Sequence, residues 1–425
     1  MHTLSSKDIL ENYAEWWRAH SRQADQVHGR FLEMRQAGLR RLAGGLERQV
    51  ETLRLQAPAA PGVLMTLDDL NEFATGSIVK CLGPEYSVYA GRRGLRIPNR
   101  DLLLMSRVLT IRGQKGNFND PSSIIAEYDV PTEAWFFAGE AGGRLPYSIC
   151  IELALQPCGV LSAYLGTALR HPGIDYFFRN LDGATTFSRL VDARGRTVRA
   201  RAELHKTIFY GSTIIQHFSF DLSCDGETFF EGKSSFGYFS PEAMASQNGL
   251  DGGKTVLPWG KQAGHENSVF PVEATWLEEH LPQGKLRLLD TVEINEGGGT
   301  DQGGYVVASR RNDPGDWFYS CHFYGDPVMP GSLGIEAIAQ AMKIFIARRS
   351  DRRPDADFVV GQKMTWSYRG QVLQHHRRMQ VEVHIRKTEP GRVGDIFTGD
   401  ASLWADDSRI YELRNMSLGI DQVQD

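Results

Sequence analysis

The string CHFYGDPVMPGSLGIEAIAQA (321–341) concentrates residue types that can do chemistry. His322 precedes a Gly-Asp-Pro turn, and Pro330 and Gly331 stand where a chain turns sharply into a helix. The first amides of that helix point back toward the preceding loop. Such a terminus favours a carbonyl oxygen that gains negative charge. Glu336 and Gln340 follow at i and i+4, so they share one helix face. The surrounding segment is otherwise apolar, and a carboxylate buried there is costly unless it is paired or neutral. Capping, or pairing with a neighbouring strand, is the purely structural alternative for Glu336.

The same set occurs earlier in the chain. Pro146, Ser148, Ile151, Glu152 and Gln156 stand 184 residues before Pro330, Ser332, Ile335, Glu336 and Gln340, with no gap. They too open an apolar segment, YSICIELALQPCGVLSAYLGTAL (147–169), which reads as a buried helix kinked or divided at Pro157. One buried carboxylate kept twice argues for a purpose in a common ancestor. At the same shift His322 falls on Ala138, in WFFAGEAGGRLP, so the first copy keeps Glu152 without a histidine.

The elements that must position these residues alternate in type. Short β-rich runs separated by Gly, Pro and Asn precede and follow each apolar helix: SIIAEYDV, TVRARAELHKTIFY and TIIQHFSFDLSC in the first body, GGYVVASRR, RMQVEVHIRKTE and RIYELRNMSLGI in the second. Their alternation predicts antiparallel strands with one face covered. SQNGLDGGKTVLPWGKQAGHEN (246–267) reads as the connection between the bodies, and EGGGTDQGG (296–304) as a hairpin turn. Residues 1–57 are proline-free with helical spacing and read as a helical linker or docking arm. The expected division is this arm, a first body over 58–250 and a second over 251–425.

Composition narrows the classes. The chain has 425 residues, 41% hydrophobic and 23% charged, which excludes a disordered chain. A net charge of -5 gives no sign of nucleic-acid binding. No uninterrupted apolar run approaches the ~18 residues of a membrane span. The first residues carry acids and no apolar stretch, so no secretory signal is read. Five scattered cysteines without CxxC spacing read as reduced thiols, and the expected location is the cytoplasm. His375, His376 and His384 lack the company of an HExxH or CxxC, so no metal site is expected.

The 321–341 string resembles the FabA/FabZ family of hot-dog 3-hydroxyacyl-acyl-carrier-protein dehydratases. HFYGDPVMPGSLG is close to the dehydratase–isomerase branch, whereas EAIAQ looks more like the simple dehydratase branch. GQKMTWSYRGQVL (361–373) looks like the family's later strand. The whole chain is similar to the tandem FabA-like regions of polyketide-type polyunsaturated fatty acid synthases. The resemblance implies an α+β double hot-dog, in which each of two antiparallel sheets wraps a central helix, preceded by an N-terminal helical segment. It implies that histidine and acid come from opposite units. His322 then matches the catalytic histidine and Glu336 the family acid, with Ser332 where one branch has cysteine. Because the first unit lacks the histidine, the complete site would join His322 to Glu152, with Glu336 as the alternative acid.

The reaction so implied removes water from a (3R)-3-hydroxyacyl thioester to give the trans-2-enoyl thioester, with trans-2/cis-3 isomerisation a further activity of one branch. Imidazole, with a pKa of ~6.5, suits a base near neutrality. A carboxyl held protonated by burial can donate to the leaving hydroxide. Gly331 or Ser332 would supply the oxyanion amide, and Gln156 would orient Glu152. No cofactor is implied beyond the phosphopantetheine arm of an acyl carrier protein. That carrier and other synthase domains are the expected partners, a homodimer is an allowed assembly, and neither nucleic acid nor membrane is expected. A hot-dog thioesterase and a non-catalytic acyl-binding scaffold are the competing functions.

Overall fold

Strand alternation is plain in TVRARAELHKTIFY: Val198, Ala200, Ala202 and Leu204 are buried while Arg199, Arg201 and His205 are exposed. The computed structural model describes residues 62–138, 143–265, 268–350, 356–392 and 394–420. The helical arm expected over 1–57 lies outside the described residues.

The first half supplies β1 (Arg107–Arg112), β2 (Ser122–Asp129), β3 (Phe177–Phe187), β4 (Thr197–Tyr210), β5 (Thr213–Cys224) and β6 (Glu227–Phe239). The second supplies β7 (Phe270–Pro271), β8 (Thr291–Asn295), β9 (Tyr305–Arg311), β10 (Ala356–Phe358), β11 (Lys363–Tyr368), β12 (Arg378–Pro390), β13 (Asp395–Ala405) and β14 (Ser408–Ile420). Spatial order is β1-β2-β4-β5-β6-β3 in one half and, in reverse, β11-β14-β13-β12-β9-β8 in the other. The halves therefore repeat one topology. They join where β3 pairs antiparallel with β11, from Lys363 opposite Thr186 to Ser367 opposite Asp182, making one continuous sheet.

That seam needs a glycine. A Cβ on Gly183 would lie 2.1 Å from the ring of Trp366, its partner in the ladder. The indole Nε1 in turn donates to Asn180 Oδ1 at 2.7 Å.

The helices are α1 (Leu67–Thr75), α2 (Ile78–Leu82), α3 (Tyr147–Tyr164), α4 (Pro241–Ala245), α5 (Ala274–His280) and α6 (Gly331–Ser350). Helix α3 packs on β2, β4 and β5, α6 packs on β9, β12 and β13, and the two helices touch each other. Each half of the sheet thus wraps one central helix, and the molecule is a double hot-dog.

Helix α3 runs through Pro157 as one helix and is not divided there. Proline removes one backbone bond and crowds the preceding turn. Nearly every residue from Tyr147 to Ala163 is buried, and that packing offsets the local loss. Continued through Arg170, the stretch holds an 18-residue window apolar enough to span a bilayer, with a mean hydropathy of 1.4, although 89% of that window is buried within the molecule.

The Gly- and Pro-rich connection is laid along the second sheet. Trp404 Nε1 donates to the Val256 carbonyl at 2.7 Å, and the Trp259 amide donates to Glu382 at 2.8 Å. Residues 296–304 turn between the antiparallel β8 and β9, as their glycines suggested.

Candidate active site

The repeated Glu, Gln and Ser residues meet where α3 and α6 touch. Ser332 Oγ donates to Glu152 Oε1 at 2.7 Å, crossing from the second half to the first. Gln156, one turn on, donates Nε2 to Glu152 Oε2 at 3.1 Å. The Gln156 amide is itself fixed by backbone: its Nε2 donates to the Leu102 carbonyl at 2.8 Å, and its Oε1 accepts from the Leu104 amide at 3.0 Å. Glu152 is 8% exposed. A carboxylate offers about four acceptor positions. Two are taken by Ser332 and Gln156, leaving room for a proton or a substrate hydroxyl.

His322 follows a short 3-10 turn, Trp317–Ser320, and its backbone amide donates to the Phe318 carbonyl at 2.9 Å. The Val328 amide donates to the His322 carbonyl at 2.7 Å. The imidazole Nδ1 lies 3.0 Å from the Val328 carbonyl. Only a protonated Nδ1 can bond a carbonyl, so the neutral ring carries its lone pair on Nε2. Burial pushes the His322 pKa below the ordinary imidazole value; the Glu152 carboxylate and the Val328 carbonyl act upward, Arg179 downward and Asp326 upward. The histidine of one half therefore lies within electrostatic reach of the carboxylate of the other.

Gly331 opens α6 beside Tyr368, whose hydroxyl donates to the Gly331 carbonyl at 3.2 Å. A Cβ on Gly331 would come within 2.7 Å of that ring. The first amides of α6, at Gly331 and Ser332, are of the kind that have no acceptor within their own helix. They stand at the end of the helix that the His322 loop enters.

Arg179 and Asp326 were not singled out from the sequence. Arg179, on β3 of the first half, grips Asp326 with both terminal nitrogens at 2.7 and 2.8 Å. A single arginine in a strand carries no spacing signal. Only the position of Asp326 in the Gly-Asp-Pro turn hinted at a part for it.

Glu336 belongs to a second, mirrored constellation. It accepts from Ser148 Oγ at 3.0 Å and from Gln340 Nε2 at 3.5 Å. Gln340 repeats the anchoring of Gln156, bonding the Leu286 carbonyl at 2.7 Å and the Leu288 amide at 3.3 Å. Here Tyr147 replaces Gly331. Its ring stacks on Phe358 at 4.7 Å, and its hydroxyl lies 2.7 Å from Thr185 Oγ1. Arg144 forms an ion pair with Asp357 close by in sequence to Tyr147 and Phe358.

The register near the missing histidine also changes. Trp135 and Trp317 pack edge to face at 4.9 Å and make matching bonds, to the Asp101 carbonyl at 3.0 Å and the Lys285 carbonyl at 3.1 Å. They stand 182 residues apart, not 184. Counted from the tryptophans, His322 falls on Glu140 rather than Ala138, and Glu140 lies outside the described residues. A two-residue length difference between Trp135 and Pro146 accounts for the shift. In either register the stretch AGEAGGRLP (138–146) holds neither histidine nor aspartate.

Residues 281–414 match the FabA-like domain family. That match lies within the second half of the chain. In an alignment 394 positions long that covers 85% of it, the chain is 34% identical to a polyunsaturated fatty acid synthase polypeptide of Thraustochytrium sp. (strain ATCC 26185 / S-3), and it is homologous to that polypeptide. It spans 26% of that relative's length. Solved structures similar to it include the dehydratase domain from the CurF module of curacin polyketide synthase, at 12% identity and a TM-score of 0.42, covering 76% of this chain and 100% of that one. A putative thioesterase from Novosphingobium aromaticivorans is similar at 14% identity and a TM-score of 0.38, covering 72% of this chain and 98% of that one.

Proposed function

We propose that the chain dehydrates (3R)-3-hydroxyacyl thioesters carried on an acyl carrier protein, giving trans-2-enoyl thioesters within a polyunsaturated fatty acid synthase. One observation carries this reading: at the start of the helix that the His322 loop enters, Ser332 donates its hydroxyl at 2.7 Å to the carboxylate of Glu152, which comes from the half without a histidine.

The α-proton of a thioester is weakly acidic, so removing it needs a base and a stabilised enolate oxygen. His322 Nε2 takes the proton, its ring held by the Nδ1 bond to Val328. The Gly331 or Ser332 amide bonds the thioester oxygen as it gains charge. The C3–O bond then breaks, and Glu152, in its protonated form, delivers that proton to the departing hydroxide to make water; the carboxylate left behind regains a proton from the His322 imidazolium after the product leaves. Ser332 Oγ and Gln156 fix the two carboxyl oxygens during that transfer. These steps use the chain's own residues and the pantetheine-bound substrate. Trans-2/cis-3 isomerisation would use the same base on the enoyl product.

The test is mass spectrometry of a 3-hydroxyacyl carrier protein after incubation with the chain. Loss of water, abolished by His322→Ala, is expected. Release of the free acyl chain would favour a thioesterase, and an unchanged substrate would favour a scaffold.

A further inference from the structure

The turn that carries His322 is tied to the opposite half of the molecule. Its amide and carbonyl bonds between Phe323 and Asp326 close a tight reversal, 3.0 Å from the Phe323 amide to the Asp326 carbonyl and 3.1 Å the other way. Tyr324, at its tip, is exposed. Val328 on the returning limb holds His322 Nδ1, so where that limb sits decides where the imidazole points. The side chain that anchors the limb is Asp326, gripped by Arg179.

Arg179 is spent on this contact. Beyond the two bonds to Asp326, its Nε donates to Gln371 Oε1 at 3.2 Å and its Nη1 to the Phe178 carbonyl at 3.0 Å. Gln371 continues the tie to Gln247, Nε2 to Oε1, at 3.0 Å. The Arg179 and Asp326 side chains are only 10% and 14% exposed. A two-pronged arginine–carboxylate bond fixes orientation as well as distance, and screening by water is weak at that burial. In the first half, the stretch matching the His322 loop lacks histidine and aspartate together. Counted from the tryptophans, Asp326 falls on Arg144, which pairs with Asp357, so where the histidine is missing the ion pair has its charges reversed.

We propose that Arg179 is a positioning residue for the dehydration step: through Asp326 it holds the turn that aims His322 at the substrate. The half without a histidine thus supplies both the acid and the support of the base. This rests on His322 acting as the base. The charged groups facing His322 are Glu152 from α3, Arg179 from β3 and Asp326 from its own turn.

The experiment uses the full chain with isotope-labelled histidine, the His322 signal being assigned by its loss in His322→Ala. In Arg179→Gln the His322 titration midpoint moves up, because a neighbouring cation is gone. In Asp326→Asn it moves down, because a neighbouring anion is gone. Turnover in Arg179→Gln falls about tenfold or more with KM little changed, as expected when a charged bond of this kind is lost. Arg179→Lys keeps the charge without the fork, so its midpoint stays near wild type while turnover still falls. General loosening of the loop would wet the ring and move both midpoints up, which overturns the proposal. Unchanged midpoints, or full turnover in Arg179→Gln, overturn it as well. The titration needs no substrate, so a chain that proves inactive refutes the dehydratase reading while the clamp still stands or falls on the midpoints.

Discussion

Ser332 of the second half donates its hydroxyl to Glu152 of the first at 2.7 Å. Glu152 thereby sits at the start of the helix that the His322 loop enters, although α3, its own helix, belongs to the half that lacks the histidine. Ser148 returns the same bond to Glu336 at 3.0 Å.

The two serines should separate stability from activity. Each bonds a buried carboxylate, and losing such a bond costs about 1–3 kcal/mol. Ser332→Ala and Ser148→Ala should therefore lower the unfolding free energy by similar amounts in denaturant titrations. Only Ser332→Ala should slow dehydration, because only its partner faces His322. Equal slowing by both would place the chemistry at both constellations.

The pH dependence follows from His322. Burial holds its pKa below the ordinary value, against the upward pull of Glu152. The base must be neutral, so kcat/KM should stay level down through pH ~6.5 and fall only below it. Glu152→Gln removes an upward influence and should move the His322 midpoint lower still. Stability carries the same sign. The unfolded chain takes up a proton at His322 from pH ~6.5 downward while the folded chain resists it, so stability declines with falling pH in that window. An acid limb at or above pH 6.5 would contradict the assignment.

The seam between β3 and β11 should be intolerant of bulk. A methyl group at Gly183 meets the Trp366 ring at 2.1 Å, and the backbone there is held by the ladder. Gly183→Ala should lower the unfolding free energy by about 1–3 kcal/mol, the usual cost of overpacking. Thermal denaturation checks this, and a smaller residue in place of Trp366 should recover part of the loss. Undiminished stability would mean that the seam is looser than this packing.

Much of this arrangement is written in local pattern. The apolar helices with Glu and Gln at i and i+4, the serine and proline at their starts and the alternating strands follow from spacing that any single segment carries. The joining of the two sheets through β3 and β11 does not, because edge pairing depends on which strands the topology leaves open. Nor does the exchange of Ser332 and Ser148 between helices, which requires α3 and α6 to be packed side by side. Arg179 had no neighbours in sequence to mark it. The offset of 184 residues held across the helices but slipped to 182 at the tryptophans, since a short window cannot see a length change just outside it. Of the two outcomes expected at Pro157, division of the helix did not occur, because a helix buried on all sides can absorb one missing bond.

The central claim is that the acid comes from the half without the histidine, and paired substitutions test it most directly. Glu152→Gln and Glu336→Gln should be compared for dehydration of one 3-hydroxyacyl carrier protein under identical conditions. Glu152→Gln should lose about 10²–10⁴-fold in turnover, the usual worth of a positioned acid. Glu336→Gln should stay close to the unsubstituted chain. Loss of turnover in Glu336→Gln with full turnover in Glu152→Gln would contradict the account.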